Sequence, residues 1–207
     1  MSVRTLIIPA GGFLFALAVV PAGVVRAQAN PKPAAADTGV KADSRFIREI
    51  TADNLLEVRL GQLAGKNASN SDVKQFGQRM VTDHTKLEDN WTSMASKNGL
   101  TFTPGLGRRH EQKIDRLEKL SGSNFDRSYM TMMVQQHQDD VDYLQNEGNA
   151  AHSTPVKDLI KSSLSVIQDH LNQARQIGVK VGADTATVHH RHVASRTKSS
   201  TTNQTKK

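Results

Sequence analysis

The sequence predicts an all-α protein: a ferritin-like four-helix bundle, two antiparallel hairpins joined by a long crossover that contains a short helix. Three observations carry this expectation. Apolar residues recur with a helical period over four long segments, at about 44–68, 71–98, 124–149 and 155–180. The first and second segments are separated by a few residues, as are the third and fourth, so each pair should fold back on itself. Between the second and third lies a connection long enough to run the length of a bundle, and no strand period competes with the helical ones.

The first helix presents Phe46, Ile50, Leu60, Gly61, Ala64 and Ala68 on one stripe. Asn70 or Ser71 can cap the second helix, which turns Val73, Phe76, Met80, Val81, Leu87, Trp91 and Ala95 inward and ends at Gly99. The connection opens with a loop at 101–107 and continues as a short, highly charged helix at 108–120, stopped by Ser121-Gly122. Ser123 with Asp126 resembles a capping box for the third helix. Its stripe is Met130, Met133, Val134, Val141 and Leu144. Thr154-Pro155 is a cap followed by proline at the first helical position. The fourth helix should bury Val156, Leu159, Val166, Ile167, Ala174 and Ile177.

The ends read differently. Within residues 1–29, Arg4 is followed by the short apolar run Phe13–Val20 and by Ala27-Gln28-Ala29, the order of a signal peptide with a small-x-small cleavage site. Cleavage near Ala29 would leave a periplasmic or secreted protein with no transmembrane span. Residues 30–43 read as a Pro- and Ala-rich linker, 44–182 as the bundle, and 183–207 as a disordered basic tail.

Charge follows the same division. The net charge of +7 over 207 residues is concentrated at the ends: residues 1–29 hold +2 and residues 183–207 hold +4, leaving the rest near neutral. No nucleic-acid partner is therefore expected for the core. The tail offers a contact for anionic envelope polymers. Cysteine is absent, which excludes disulfides, a thiol nucleophile, a thiolate metal site and a lipoprotein anchor. No serine triad, phosphate loop or nucleotide fingerprint defines a metal-free enzyme.

The candidate site lies where hydrocarbon is expected. His137 falls in the middle of the third helix's stripe, and Glu57, His84 and His170 hold equivalent positions on the other three. Counted from the hairpin turns, all four can meet at one level of the core. Imidazole and carboxylate are ordinary ligands for Zn, Fe, Cu or Mn, and a bundle core is a common place for such a site. Asp140, one turn after His137, is a further ligand candidate. Asp83, Glu88 and Asp53 are candidates to orient the imidazoles. The alternative is a buried polar network whose members satisfy one another and only specify the packing. Met130, Met132 and Met133 read as core filler, and His189-His190-Arg191-His192 as a solvated tail segment.

Four blocks carry a family resemblance: EVRLGQLA (57–64), VKQFGQRMVTDHTKLEDNW (73–91), LSGSNFDRSYMTMMVQQHQDDV (120–141) and VIQDHLNQA (166–174). Together they resemble the secreted bacterial family called Domain of Unknown Function 4142, over about residues 44–180. The resemblance implies a ferritin-like helical bundle in an exported bacterial protein and no established activity. Glu57, His84, His137 and His170 sit on matching family positions. Di-iron carboxylate proteins carry paired Glu-x-x-His motifs, which are missing here; His137-x-x-Asp140 only inverts that polarity, so a ferroxidase is not supported.

Overall fold

The computed structural model describes residues 34–150 and 152–186, with side chains from residue 42 onward. The expected signal peptide and its cleavage site lie outside the described residues, as does the tail from 187, including its histidine cluster. The described residues form five helices and no strand: α1 (Ala34–Asn67), α2 (Ser71–Lys97), α3 (Arg108–Glu118), α4 (Gly122–Gly148) and α5 (Thr154–Val181). None of them is long and apolar enough to cross a membrane.

The two hairpins are α1–α2 and α4–α5, and α3 lies in the crossover against α1 and α4. In the first hairpin the backbones come unusually close. A Cβ at Gly61 would lie 2.5 Å from the Gly77 carbonyl oxygen, and one at Gly77 would lie 2.9 Å from the Gly61 oxygen. Glycine at both positions is therefore what lets these helices touch. Farther along, Trp91 meets Phe46 edge-on at 5.4 Å, and both are fully buried.

Helix boundaries show which local signals acted. Asn70 caps α2, its side-chain oxygen accepting from Asp72 N at 2.8 Å and Val73 N at 3.3 Å. The chain is already helical at Ala34, so residues 34–43 belong to α1 and are not linker. Ala34, Ala35 and Ala36 are the strongest helix formers, and their composition outweighs the missing apolar period. Asp43 in this extension is buried against His152 of the α4–α5 turn.

The Ser123–Asp126 capping box does not form. Gly122, at φ +61°, starts α4 a turn before Asp126, and Ser121 is the residue before the helix. Asp126 is thus inside the helix, where it reaches the α1–α2 turn and accepts from Ser69 N, Ser69 Oγ and Asn70 N. It fastens one hairpin to the other. At the opposite end, His152 lies between Asp43 Oδ1 at 2.8 Å and Glu147 Oε2 at 2.6 Å.

Helix α5 is rotated from the expected stripe. Ile160, Ser163, Ile167, His170, Leu171 and Ala174 are buried, while Leu159 and Val166 are only partly covered. Gly182, at φ +70°, ends α5, and residues 183–186 turn back instead of leaving the domain. Ala183 N donates to Gly178 O at 2.9 Å and Asp184 N to Thr131 Oγ1 of α4 at 3.0 Å. The first four residues of the expected tail are therefore tied to the bundle.

Candidate metal centre

Each histidine is carried into the core by the apolar residues around it on its own helix. His84 comes from α2 with Met80 and Leu87, His137 from α4 with Met133 and Val141, and His170 from α5 with Ile167 and Ala174. All three are buried. Their rings form a near-equilateral triangle, with centroids 5.7 Å apart for His84–His137, 5.3 Å for His84–His170 and 5.4 Å for His137–His170. One ring nitrogen from each lies within 4.8 Å of one from each of the others.

Every ring has one nitrogen engaged with an acceptor. His84 Nδ1 is 3.0 Å from Asn54 Oδ1, His137 Nδ1 is 2.9 Å from the Met133 carbonyl oxygen, and His170 Nε2 is 2.8 Å from Asp83 Oδ2. An acceptor at one nitrogen places the proton there and leaves a lone pair on the other. The nitrogens left over are His84 Nε2, His137 Nε2 and His170 Nδ1, and none of them has a hydrogen-bond partner among the described residues.

Electrostatics keeps the rings neutral. Burial pushes His84 well below the ordinary histidine range, and its two histidine neighbours push the same way. Burial takes His137 down to about 3. His170 is also lowered by burial, against the opposing pull of Asp83. Burial works to raise Asp83, but hydrogen bonds from His170 and Arg79 outweigh it and hold the carboxylate ionised. Arg79 Nε lies 3.1 Å from Asp83 Oδ2, and its Nη1 donates to Gln173 Oε1 at 2.7 Å. These contacts anchor the acceptor behind His170.

Glu57 and Asp140 are buried but do not join the close group of three. They belong to a second polar set, with Asp53 and Tyr129, that Lys113 of α3 reaches. Burial raises Glu57 to about 8, Lys113 lowers it and Asp53 raises it. Asp140 is raised well above the carboxylate range by burial, then by Asp53 and Glu57. Lys113 donates to Gln136 Oε1, and Gln136 Nε2 donates to Asp140 Oδ1 at 3.0 Å. His110 Nε2 pairs with Asp53 Oδ1 at 3.1 Å. Neither carboxyl oxygen of Glu57 has a hydrogen-bond partner among the described residues. Of the expected orienting acids, Asp83 touches a histidine; Asp53 faces His110, and Glu88 is raised to about 7 mainly by burial.

Sequence reasoning did not single out Asn54. Its signal was present: a short amide one turn before Glu57, at a position where the first helix needs an inward residue.

The sequence matches the family Domain of unknown function (DUF4142) over residues 28–177. No curated protein sequence matches the chain. Among solved structures, a protein described as secreted and assigned to DUF305, from Streptomyces coelicolor, is similar in fold. Its TM-score is 0.62 at 13% identity, covering 72% of this chain and 98% of that one.

Proposed function

The chain belongs to the DUF4142 family, and from that premise we propose that it is an exported helical bundle whose buried histidines hold a transition metal ion, for metal handling or stress protection. The observation that carries the reading is the set of three unpartnered imidazole nitrogens. Three buried lone pairs on neighbouring rings, with no hydrogen-bond donor among the described residues, are costly unless a cation takes them up. The residues fit such an ion: the rings are neutral, as ligands must be, and two of the three are backed by side-chain acceptors. His84, His137 and His170 would hold it, with Glu57 and Asp140 as further ligand candidates from α1 and α4. A three-imidazole set without sulfur suits Zn, Fe, Cu or Mn, and such an ion supplies Lewis acidity or electron transfer when bound. The chain's own residues bury the site and fix each tautomer.

Export is part of the same proposal, supported by Arg4, the apolar run Phe13–Val20 and Ala27-Gln28-Ala29. A second reading is a non-enzymatic structural or interaction module of the envelope, in which the polar core specifies packing alone. It is favoured by one observation: Trp91 Nε1 and Ser163 Oγ are also buried without hydrogen-bond partners among the described residues, and neither is an ordinary metal ligand.

Elemental analysis and N-terminal sequencing of untagged protein from its native host separate the two readings. One equivalent of metal and a first residue near Asn30 are expected. Metal returned to chelator-stripped protein should then raise the melting temperature, by the equivalent of about 4 kcal/mol at a thousand times Kd. His84→Ala, His137→Ala and His170→Ala should each abolish that rise, while His110→Ala and His152→Ala should not. Sub-stoichiometric metal with unchanged melting in every salt would leave the structural module standing, and a chain that begins at Met1 would remove export.

A further inference from the structure

A groove of about 550 Å³ runs between α3 and α4, away from the three histidines. This is within the size range of small-molecule sites. Its α3 wall is basic for a reason visible in the sequence. At about 100° per residue, Arg109, Lys113 and Arg116 fall within an arc of about 60°, whereas Glu111, Asp115 and Glu118 fall on the opposite side of the helix. Ile114 and Leu117 are buried and fix the rotation that presents the basic arc to the groove. Among the described residues neither Arg109 nor Arg116 makes an ion pair. The α4 wall supplies Ser128, Thr131 and Gln135, and its acid, Asp139, accepts from Gln135 Nε2 at 2.9 Å.

We propose that this groove binds a small molecule carrying two or more phosphate or carboxylate groups. Arg109 and Arg116, seven residues apart on one helix face, leave the helix at points separated by about 10 Å along the axis, with Lys113 between them. That spacing suits several anionic groups in a row better than one isolated ion. Guanidinium forks recognise the oxygens of phosphate and carboxylate, and the hydroxyls of Ser128 and Thr131 can donate from the facing wall. Lys113 already donates to Gln136, so it is held at the groove wall and not free in solvent.

The test is calorimetric titration of the full chain with inorganic triphosphate and, separately, with citrate. Saturable binding of at least one is expected, weakening at least several-fold between low and high salt. Binding of triphosphate alone assigns phosphate, and binding of citrate alone assigns carboxylate. The double variant R109Q/R116Q should bind at least ten-fold more weakly while keeping its circular dichroism and melting temperature. The charge-matched control K66Q/K180Q, both exposed and outside the groove, should bind as the unmodified chain does. Absence of saturable binding of either anion at millimolar concentration overturns the site. So does equal weakening in the control, which would reduce the effect to net charge.

Discussion

The core of this bundle holds two polar sets that burial treats in opposite ways. In the histidine set, removal from water favours the neutral imidazole, which is the form that ligates a metal. In the carboxyl set around Glu57 and Asp140, the same removal favours the neutral acid, which must give up a proton before it can ligate. Residues that look equivalent on a helical wheel are therefore not equivalent in readiness. Three rings are already neutral; the two carboxyls hold their protons until something compensates their charge.

The largest effect that could break this comparison is acid unfolding of the metal-free protein. An unfolded chain protonates its histidines through about pH 6.5. The folded chain resists, with His137 holding out to about 3. Above about 6.5 the rings are neutral in both states and cost nothing; as pH falls below 6.5 the unfolded chain takes up protons that the fold refuses, and stability is lost. Urea melts below pH 6.5 should lose stability with falling pH, His137 alone accounting for roughly 1 kcal/mol per pH unit down to about 3. His137→Leu should remove one proton from that slope. An unchanged slope would mean the ring is already protonated in the fold.

Glu57 should respond on the other side of neutrality. Its carboxyl ionises near 4.5 when unfolded and near 8 when folded, so stability is lost as pH rises between those values. Glu57→Gln removes the titration and should stabilise the metal-free protein by roughly 4 kcal/mol at pH 8 and hardly at all at pH 4. The same variant sharpens the site: if metal affinity falls with it, Glu57 is a ligand, and if affinity holds, the histidines act alone. A smaller effect is expected from Asp83→Asn, which weakens the acceptor behind His170 Nε2 without touching the inner nitrogens. Metal affinity by competition with a chelator should drop about 10- to 100-fold. Since Asp83 is partly exposed, the metal-free melting temperature should move little.

The helices, their pairing and the charged helix in the crossover were legible because each leaves a local trace: a period, a cap or a short turn. His84, His137 and His170 were legible as interruptions of apolar stripes. What the sequence could not supply was the register between helices that are distant in the chain. Whether Glu57 joins the rings depends on how the first hairpin seats on the second, which is settled by contacts such as Asp126 with Ser69 and Asn70. Asp126 misled for a similar reason, since its spacing from Ser123 fits a cap while its partners lie more than fifty residues away. The apolar period places Leu159 inward because leucine weighs more than serine in it, yet Ser163 and His170 define the buried line of α5.

His84 belongs to the first hairpin, whereas His137 and His170 belong to the second. The contacts that build each hairpin are close in sequence, while those that join them, such as His170 with Asp83, span 87 residues. Local contacts form early and distant ones late, so the hairpins should assemble before they meet. The triangle of rings then exists only once the two have docked. An ion held there would not hasten the search; it would delay escape. In stopped-flow experiments, metal should slow the unfolding limb and leave the refolding limb nearly where it was. A protein built this way would gain persistence from a bound ion without depending on it to fold.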